Sequence, residues 1–422
     1  MTFAKVLVFA GFAAGLAGTC LGQVPHAVGA DREILAAQAV IRKAPSSPRG
    51  YDRFAMACLQ KARETGDVSW LTHADRLLQK AGQLAPKDVE TLQGFAAVRL
   101  QQHRFADAIS LTRRVLLAQP DNETAYGVIG DSLIELGDYD AAFDAYQTMA
   151  DLKPGIAAYT RAAYARVLQG DVDGARKMLR MAANGGATFA ENVAWALVQM
   201  GNESLSVGDL DGAEHAYREA LGGFPNYVHG IAGLAKVAAA RGNAKEAIRL
   251  FERATAAIPL HDYVVALGDL YAATGRKADA ERQFALVAAV AKMNRAAGIT
   301  PGVELAQFYC DHNRNLPEAL TIARKVEQRQ KDIRTEDALA WALYRNNRYA
   351  EALEASKRAL RLGTRDATFM YHRGRIEQAL GHRDEAARYL DLALQTNPYF
   401  NARDAAATKS QLARLAPERT IP

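Results

Sequence analysis

The stretch that decides the fold is Gly137-Asp138-Tyr139-Asp140-Ala141-Ala142, which is followed by Tyr146 and ends at Pro154. A glycine at this place supplies the left-handed residue that ends a first helix. Ala142 leaves room for two helices to cross closely, and the Tyr146 ring fills the space toward the next segment. Pro154 cannot continue a second helix and therefore stops it. The stretch predicts a helix, a tight turn and a second helix packed against the first.

The same pattern recurs along the chain with a period of about 34 residues. Pro86, Pro120 and Pro154 are evenly spaced at this interval, and Pro225 and Pro259 repeat it. A small residue precedes the proline position in ten segments: Ala74, Ala108, Ala142, Ala175, Ala213, Ala247, Ala280, Ala319, Ala352 and Ala386. One helical hairpin cannot bury its apolar faces alone, so neighbouring hairpins must stack into one continuous core.

These motifs resemble the tetratricopeptide repeat (TPR), and a second good copy is Gly208-Asp209-Leu210-Asp211-Gly212-Ala213 with Tyr217 and Pro225. The resemblance implies an all-α fold, a right-handed superhelical solenoid of about ten helix-turn-helix repeats. The repeats are predicted near residues 51–88, 89–122, 123–155, 156–189, 194–227, 228–260, 261–294, 300–332, 333–366 and 367–400. Two stretches, residues 337–344 and 360–367, are also similar to exported bacterial proteins of this family.

Four segments make up the predicted domain organisation. Residues 1–22 are a signal peptide, and residues 23–50 are a linker and an N-terminal capping helix. Residues 51–400 form the repeat solenoid, and residues 401–422 form a C-terminal capping helix and tail. The N-terminal capping helix is expected over residues 31–43, because apolar residues there follow helical spacing.

The N-terminus predicts export. Residues 6–22 carry no charge, and at ~1.5 Å per residue they reach about 25 Å, short of the ~30 Å hydrocarbon core. Leu16-Ala17-Gly18-Thr19-Cys20 resembles a bacterial lipobox, which makes Cys20 a candidate lipidation site, although Thr19 departs from the family's Gly or Ala. The protein is predicted to be extracytoplasmic: periplasmic, secreted, or lipid-anchored through Cys20. An uncleaved anchor and a chance apolar start stay open as alternatives.

Composition and motifs give no support for chemistry by the chain itself. A net charge of +5 over 422 residues does not favour nucleic-acid binding, and three cysteines are too few for a disulfide scaffold. The chain contains no H-E-x-x-H, no C-x-x-C, no G-x-S-x-G and no glycine-rich phosphate loop. The sequence therefore predicts no catalytic residues, no metal site, no cofactor and no enzymatic activity.

The resemblance implies that the first helix of each unit lines a concave groove, so its outward positions are candidate partner-binding residues. Those singled out are Trp341, Tyr344, Arg345, Tyr371, Arg375, Asp131, Glu135 and Asn202. The first five unite the residue types that dominate interface energetics, and they are expected to adjoin across one repeat boundary. The alternative for Trp341 and Tyr344 is packing between adjacent repeats. The family's basic clamp for a terminal carboxylate is not expected, because Val198 stands where its lysine belongs.

Charge is uneven along the chain. Residues 121–160 have a net charge of −7, which leaves +12 for the remainder, so this acidic segment is expected to attract a basic partner segment. The predicted function is a non-enzymatic scaffold that binds a peptide or helical segment of a partner protein in its groove. No nucleic acid is expected as a partner, and membrane contact is expected only through the N-terminus. The alternatives are a ligand-responsive regulatory repeat protein and, from another class, a helical-hairpin enzyme acting on glycans.

Overall fold

A computed structural model describes residues 29–67, 69–187, 189–296 and 302–415, and all 22 regular elements in those residues are α-helices. In chain order they are α1 (Ala30–Lys43), α2 (Pro48–Thr65), α3 (Ser69–Leu84), α4 (Val89–Gln101), α5 (Phe105–Ala118), α6 (Glu123–Leu136), α7 (Tyr139–Leu152), α8 (Ile156–Leu168), α9 (Val172–Asn184), α10 (Ala190–Ser206), α11 (Leu210–Gly223), α12 (Val228–Ala240), α13 (Ala244–Ala257), α14 (His261–Ala273), α15 (Lys277–Ala296), α16 (Val303–Asp311), α17 (Leu316–Glu327), α18 (Ile333–Arg345), α19 (Tyr349–Ala359), α20 (Ala367–Ala379), α21 (Arg383–Thr396) and α22 (Ala402–Leu415).

Helices α2 to α21 form ten consecutive hairpins, which we number as units 1 to 10. Each unit has a helix A followed by a helix B, so unit 1 is α2 and α3, and unit 10 is α20 and α21. Nearly every helix packs against the next one in sequence, and in most units helix A also packs against helix A of the next unit. The extra helices α1 and α22 pack on units 1 and 10, at the two ends. The predicted all-α repeat solenoid is confirmed.

The turn between helices A and B contains a residue with left-handed backbone geometry in every unit. Gly137, for example, has φ of 79° and ends α6. Three units lack a glycine there, and His103, Asn313 and Asn347 adopt the same geometry, with φ of 57°, 52° and 61°. Asparagine tolerates this region because its short polar side chain can bond locally. The unit around Asn313 therefore keeps its turn although the glycine of the pattern is missing.

The repeat alanines and the aromatic residues after them fill the core. All ten alanines are at most 2% exposed, which places them at the tight crossings between helices. The Tyr217 side chain is fully buried, and a Cβ added to Gly201 or Gly233 would lie 2.5 Å from its ring. Tyr217 thus rests on bare backbone from helix A of its own unit and of the next unit.

The solenoid coils back on itself, so that units 6–10 (the second coil) lie against units 1–5 (the first coil). The backbone N–H of Lys331 donates to the Glu135 carbonyl oxygen at 3.0 Å. The Asn397 side-chain amide donates to the Leu205 carbonyl oxygen at 2.9 Å. Glu135 and Leu205 lie near the C-terminal ends of α6 and α10, where carbonyl groups have no partner within their own helix. The second coil therefore supplies a donor for the Glu135 carbonyl and an additional donor for the Leu205 carbonyl, which also accepts from the Gly208 N–H at 3.1 Å.

This edge contact is regular, and we call it the inter-coil seam. The Thr364 hydroxyl donates to the Leu168 carbonyl oxygen, and a Cβ on Gly66 would lie 2.5 Å from Ile258. In units 1, 3, 4 and 5 the A–B turn of unit n meets the loop that follows unit n+5. The seam thus joins residues that are far apart in sequence, at a distance of about five repeats.

Among the described helices, none combines the length and the apolar character needed to span a membrane. The predicted signal peptide over residues 1–22 and the candidate lipidation site Cys20 lie outside the described residues. Both stay predictions from the sequence.

Candidate interaction surface

An aromatic and arginine cluster spans the boundary between units 9 and 10. Trp341 and Tyr344, on α18, stack with ring centroids 4.8 Å apart and planes within 7° of parallel. The other face of Trp341 stacks on His372 of α20 at 4.1 Å. The Trp341 indole N–H donates to Asp311 at 2.8 Å. Trp341 is only 4% exposed, so it packs between repeats, as the alternative interpretation of the sequence expected.

Arg375 ties this cluster together. Its guanidinium donates to the Tyr371 hydroxyl at 2.9 Å and to the Tyr344 hydroxyl at 3.1 Å. Tyr371 is buried, whereas Tyr344 and Arg375 keep part of their surface exposed. Arg345 turns toward unit 8, where it donates to the Cys310 carbonyl oxygen and to the Asn313 side chain. The Arg345 guanidinium also lies 5.7 Å from the centroid of the Trp341 ring, so all five residues adjoin, with Arg345 at the margin.

A buried ion pair lies beneath the cluster. The His372 Nδ1 is 2.9 Å from the Asp337 carboxylate, and both side chains are almost fully buried. Burial alone would lower the pKa of His372, but the Asp337 carboxylate raises it, and the net shift is upward. The sequence analysis did not single out His372. Its signal was its separation from Asp337 by about one repeat, which matches the other polar pairs between helices A.

The predicted groove residue Asp131 is buried instead of open. Its carboxylate accepts from Arg161 at 2.8 Å and 2.6 Å, and from the Tyr146 hydroxyl at 2.9 Å. Asp131 is 6% exposed and Arg161 is 2% exposed. The acidic segment thus has a cation of its own one repeat later, because Arg161 lies on the next helix A.

Glu135 and Asn202 also have partners within the chain. The Glu135 carboxylate accepts from the Gln330 amide at 2.9 Å and lies 3.4 Å from Arg334, both in the second coil. Burial, and then the nearby Asp332 carboxylate, raise the pKa of Glu135 to about 7. The Asn202 side chain accepts from the Tyr217 hydroxyl at 2.8 Å. The partner-binding roles predicted for these residues stay predictions, and partner contact with Glu135 would require its present partners to leave.

A second concave surface is lined by residues of α17, α18 and α19. It is an open cavity of about 580 Å³ with Leu339 and Leu343 at its base. Its rim carries an ion pair between Arg324 and Glu351 at 3.3 Å. The sequence analysis did not anticipate this surface, because Leu339 and Leu343 are not among the groove residues singled out from the sequence.

The described residues contain no group of three or more His, Cys, Asp or Glu side chains placed to hold a metal ion. Cys58 and Cys310 are free and buried. Burial raises the pKa of each thiol to about 12, which disfavours the reactive thiolate.

His229, on helix A of unit 6, provides a pH-dependent test of the contact with helix A of unit 7. Its Nδ1 is 2.6 Å from the Tyr263 hydroxyl, and burial lowers its pKa from 6.5 to about 4. The folded chain therefore keeps His229 neutral. As the pH falls from 6.5 toward 4, the unfolded chain binds a proton at His229 and the folded chain does not, so the free energy of unfolding falls over this range. Asparagine keeps an acceptor near the position of Nδ1. We therefore expect the free energy of unfolding of His229→Asn, relative to that of wild type, to be on the order of 2 kcal/mol higher at pH 4 than at pH 8.

Urea unfolding at both pH values checks this prediction. His215→Asn is the control, because the His215 side chain is 78% exposed. An unchanged difference in stability between His229→Asn and wild type at the two pH values would contradict the prediction.

Comparisons with known proteins bear on the repeats. Residues 95–155 and 338–399 match one tetratricopeptide-repeat model, and residues 204–267 match another. No curated protein sequence matches the chain.

Solved structures with a similar fold share little sequence with the chain. Human IFIT1, as a dimer with m7Gppp-AAAA, is 14% identical over 78% of this chain and 76% of its own, with a TM-score of 0.51. The APC/C hetero-tetramer Cut9-Hcn1 is 16% identical over 98% of this chain and 69% of its own, with a TM-score of 0.49. Yeast Tom70 is 14% identical over 92% of each chain, with a TM-score of 0.40. At these identities the likeness to IFIT1 concerns the helical repeat fold alone.

Proposed function

Because this chain is a tetratricopeptide-repeat protein, we propose that it is a non-enzymatic scaffold that binds a peptide or helical segment of a partner protein on its A helices. The observation that carries the proposal is the pairing of Tyr344 with Arg375 at the boundary of units 9 and 10. Both side chains keep exposed surface, while the buried Trp341 and Tyr371 hold them in place from below. A surface that is ordered before binding loses little side-chain entropy when a partner arrives.

The chemistry of this pair also indicates what it binds. An arginine has five N–H donors, and Arg375 uses one on each of two tyrosine hydroxyls. The Nε–H is buried, but the second N–H groups of Nη1 and Nη2 can bind an acidic side chain of the partner. The Tyr344 ring can cover an apolar neighbour of that acid. A partner segment with an acidic residue beside an apolar anchor fits this surface.

The double variant Tyr344→Ala with Arg375→Ala tests the proposal. Interface residues of these types typically contribute ~2 kcal/mol or more, so we expect partner affinity to fall by more than about tenfold. The partner is recovered by cross-linking on the native protein, and its affinity for each variant is then measured by titration calorimetry. Circular dichroism reports whether the helices persist.

The matched control is Arg388→Ala with Tyr389→Ala. These two side chains form another arginine–tyrosine contact, with the guanidinium 4.2 Å from the ring centroid, but on helix B of unit 10. We expect this control to bind the partner as wild type does. Equal affinities for wild type and for the Tyr344 and Arg375 variant, with helicity unchanged, would contradict binding at this surface.

We also propose that the protein is exported, with residues 1–22 as its signal and Cys20 as a candidate lipid attachment site. The support is the uncharged run over residues 6–22 and the lipobox-like sequence before Cys20. The mass of the mature N-terminus tests this proposal: a chain that begins between residues 20 and 31 supports export, and an intact Met1 contradicts it.

A further inference from the structure

The Trp341 ring, which lies beneath the proposed binding surface, is held by residues of units 8, 9 and 10. Tyr344 stacks on one face with its centroid at 4.8 Å, and His372 stacks on the other at 4.1 Å, within 11° of parallel. The indole N–H donates to Asp311 of unit 8 at 2.8 Å. Because Trp341 is only 4% exposed, these contacts fix the orientation of its ring. His372 is the contact on the side away from Tyr344.

His372 is bonded to one carboxylate and lies near two more. Its Nδ1 is 2.9 Å and 3.0 Å from the two Asp337 oxygens, and both side chains are at most 6% exposed. Burial would lower the pKa of His372, but Asp337, and then Asp311 on α16 and Asp404 on α22, raise it, and the net shift is upward from 6.5. Burial raises the pKa of Asp337 as well, and His372 opposes that shift.

Neutralising His372 removes a charge and leaves a hydrogen bond in place. As the pH rises, the proton is lost from Nε2, because the neutral ring keeps its Nδ1–H on Asp337. An aromatic face attracts a cation, so the protonated His372 ring holds Trp341 more strongly than the neutral ring does. This stabilisation is present below pH 6.5 and is lost as the pH rises through the raised pKa of His372.

His372 is the one cation bonded to Asp337 in the part of the chain that the structure describes. Helices α18, α19 and α21 pack on α20, which carries His372. Arg375 of α20 donates to two tyrosine hydroxyls, Arg358 of α19 pairs with Glu336, and Arg388 of α21 pairs with Glu385. Arg345 also lies near the Trp341 ring, but arginine keeps its charge as the pH changes. A pH-dependent charge against Trp341 therefore comes from His372.

We propose that His372 is a positioning residue of the binding surface: its imidazolium, held by Asp337, keeps Trp341 in place beneath Tyr344, and the surface loosens when the imidazolium loses its proton. The inference rests on the proposed function for what the surface binds. It concerns a buried side chain that acts only through Trp341. The surface is therefore best ordered on the acid side of the His372 titration.

Side-chain NMR on the chain without a partner tests the proposal. Tyr344 stacks on Trp341 within 7° of parallel, so the indole ring current moves the Tyr344 ring signals upfield. We expect the His372 ring signals to titrate with a midpoint above 6.5, and the upfield shift of Tyr344 to shrink with the same midpoint. The signals are assigned by their absence from His372→Asn and from Tyr344→Phe.

Two variants separate the charge of His372 from its packing. Asp337→Asn keeps a side chain of similar shape without its charge, so both signals should titrate at a lower pH than in wild type. His372→Phe with Asp337→Asn keeps a ring beneath Trp341 that has no proton to lose. In this double variant the upfield shift of Tyr344 should be small at every pH, as in wild type above its midpoint.

The matched control is His382→Asn. It removes another histidine–carboxylate pair of unit 10, in which Nδ1 of His382 lies 2.7 Å from Glu377, but the His382 side chain is 53% exposed. The His372 and Tyr344 signals of this control should titrate as they do in wild type.

Three results would overturn the proposal. One is a Tyr344 signal that stays constant while His372 titrates, and another is a His372 midpoint at or below 6.5. The third is a full upfield shift of Tyr344 in His372→Phe with Asp337→Asn, because ring packing alone would then hold Trp341. The proposed function fails separately: if Tyr344 follows His372 but Tyr344→Ala with Arg375→Ala binds the cross-linked partner as wild type does, the role of His372 stands and the binding surface does not.

Discussion

Replacing Asp131 with alanine should lower the free energy of unfolding by about 3–5 kcal/mol, because the change leaves the Arg161 guanidinium buried without its counter-ion. The Arg161 side chain is only 2% exposed. Two of its nitrogens donate to Asp131, and the Tyr146 hydroxyl donates to the same carboxylate. In Asp131→Ala, the Arg161 guanidinium and the Tyr146 hydroxyl therefore both lose the carboxylate to which they donate.

Urea unfolding at neutral pH measures this effect, and two further variants give it a reference. Asp131→Leu with Arg161→Met removes both charges and should recover most of the lost stability, since an apolar pair of similar size carries no desolvation cost. Glu219→Ala breaks an ion pair with Arg180 that is similarly bidentate but about a third exposed. We expect Glu219→Ala to cost under ~1 kcal/mol. A cost for Asp131→Ala no greater than that of Glu219→Ala would refute the buried pair.

Replacing Tyr217 with alanine, as a separate variant, should also lower the free energy of unfolding by about 3–5 kcal/mol. The ring is fully buried against the bare backbone of Gly201 and Gly233, so its loss leaves a cavity between units 5 and 6 that helices cannot close. Tyr217→Phe keeps the ring and removes only the hydroxyl, which donates to Asn202 at 2.8 Å. We expect that change to cost about 1 kcal/mol.

Hydrogen exchange shows where the damage from Tyr217→Ala goes. Because stacked repeats are coupled mainly to their nearest neighbours, protection should fall first across residues 194–260 and only later in unit 10. Tyr389→Ala, which truncates a tyrosine that keeps part of its surface exposed, is the control and should leave residues 194–260 protected. Equal costs for Tyr217→Ala and Tyr217→Phe would mean that the ring is not a packing element.

Sequence reasoning identified what depends on nearest neighbours in the chain. The regular spacing of five prolines gave the period, and the alanine pattern extended it to ten hairpins and located the helix crossings, because each unit repeats the same local geometry. The turn at Asn313 could not be inferred from a missing glycine, since asparagine adopts the same backbone region. The pattern therefore predicts a position of left-handed geometry better than it predicts the residue that fills it.

The candidate site was predicted less well, because helical position shows which face a residue occupies but not what lies opposite. Trp341, Tyr344, Tyr371 and Arg375 do adjoin, as consecutive repeats require. Asp131, however, was assigned to an open groove, and the structure pairs it with Arg161 on the next helix A. That spacing is itself a signal, since opposite charges about one repeat apart on successive A helices can meet. The partners of Glu135 lie in the second coil, and no local pattern predicts a contact that depends on the accumulated rotation of five units.

The seam also restricts how this array can change its length. In an open solenoid, a repeat can be added or lost anywhere, because each unit needs only its two neighbours. Here the A–B turn of unit n must meet the loop after unit n+5. Deleting unit 6 or unit 7 would move residues 330–334 from unit 3 to face unit 2, and would set the later contacts out of step. The number of units in this chain is therefore fixed by the fit between its two coils, and not only by the contacts of each unit with its neighbours.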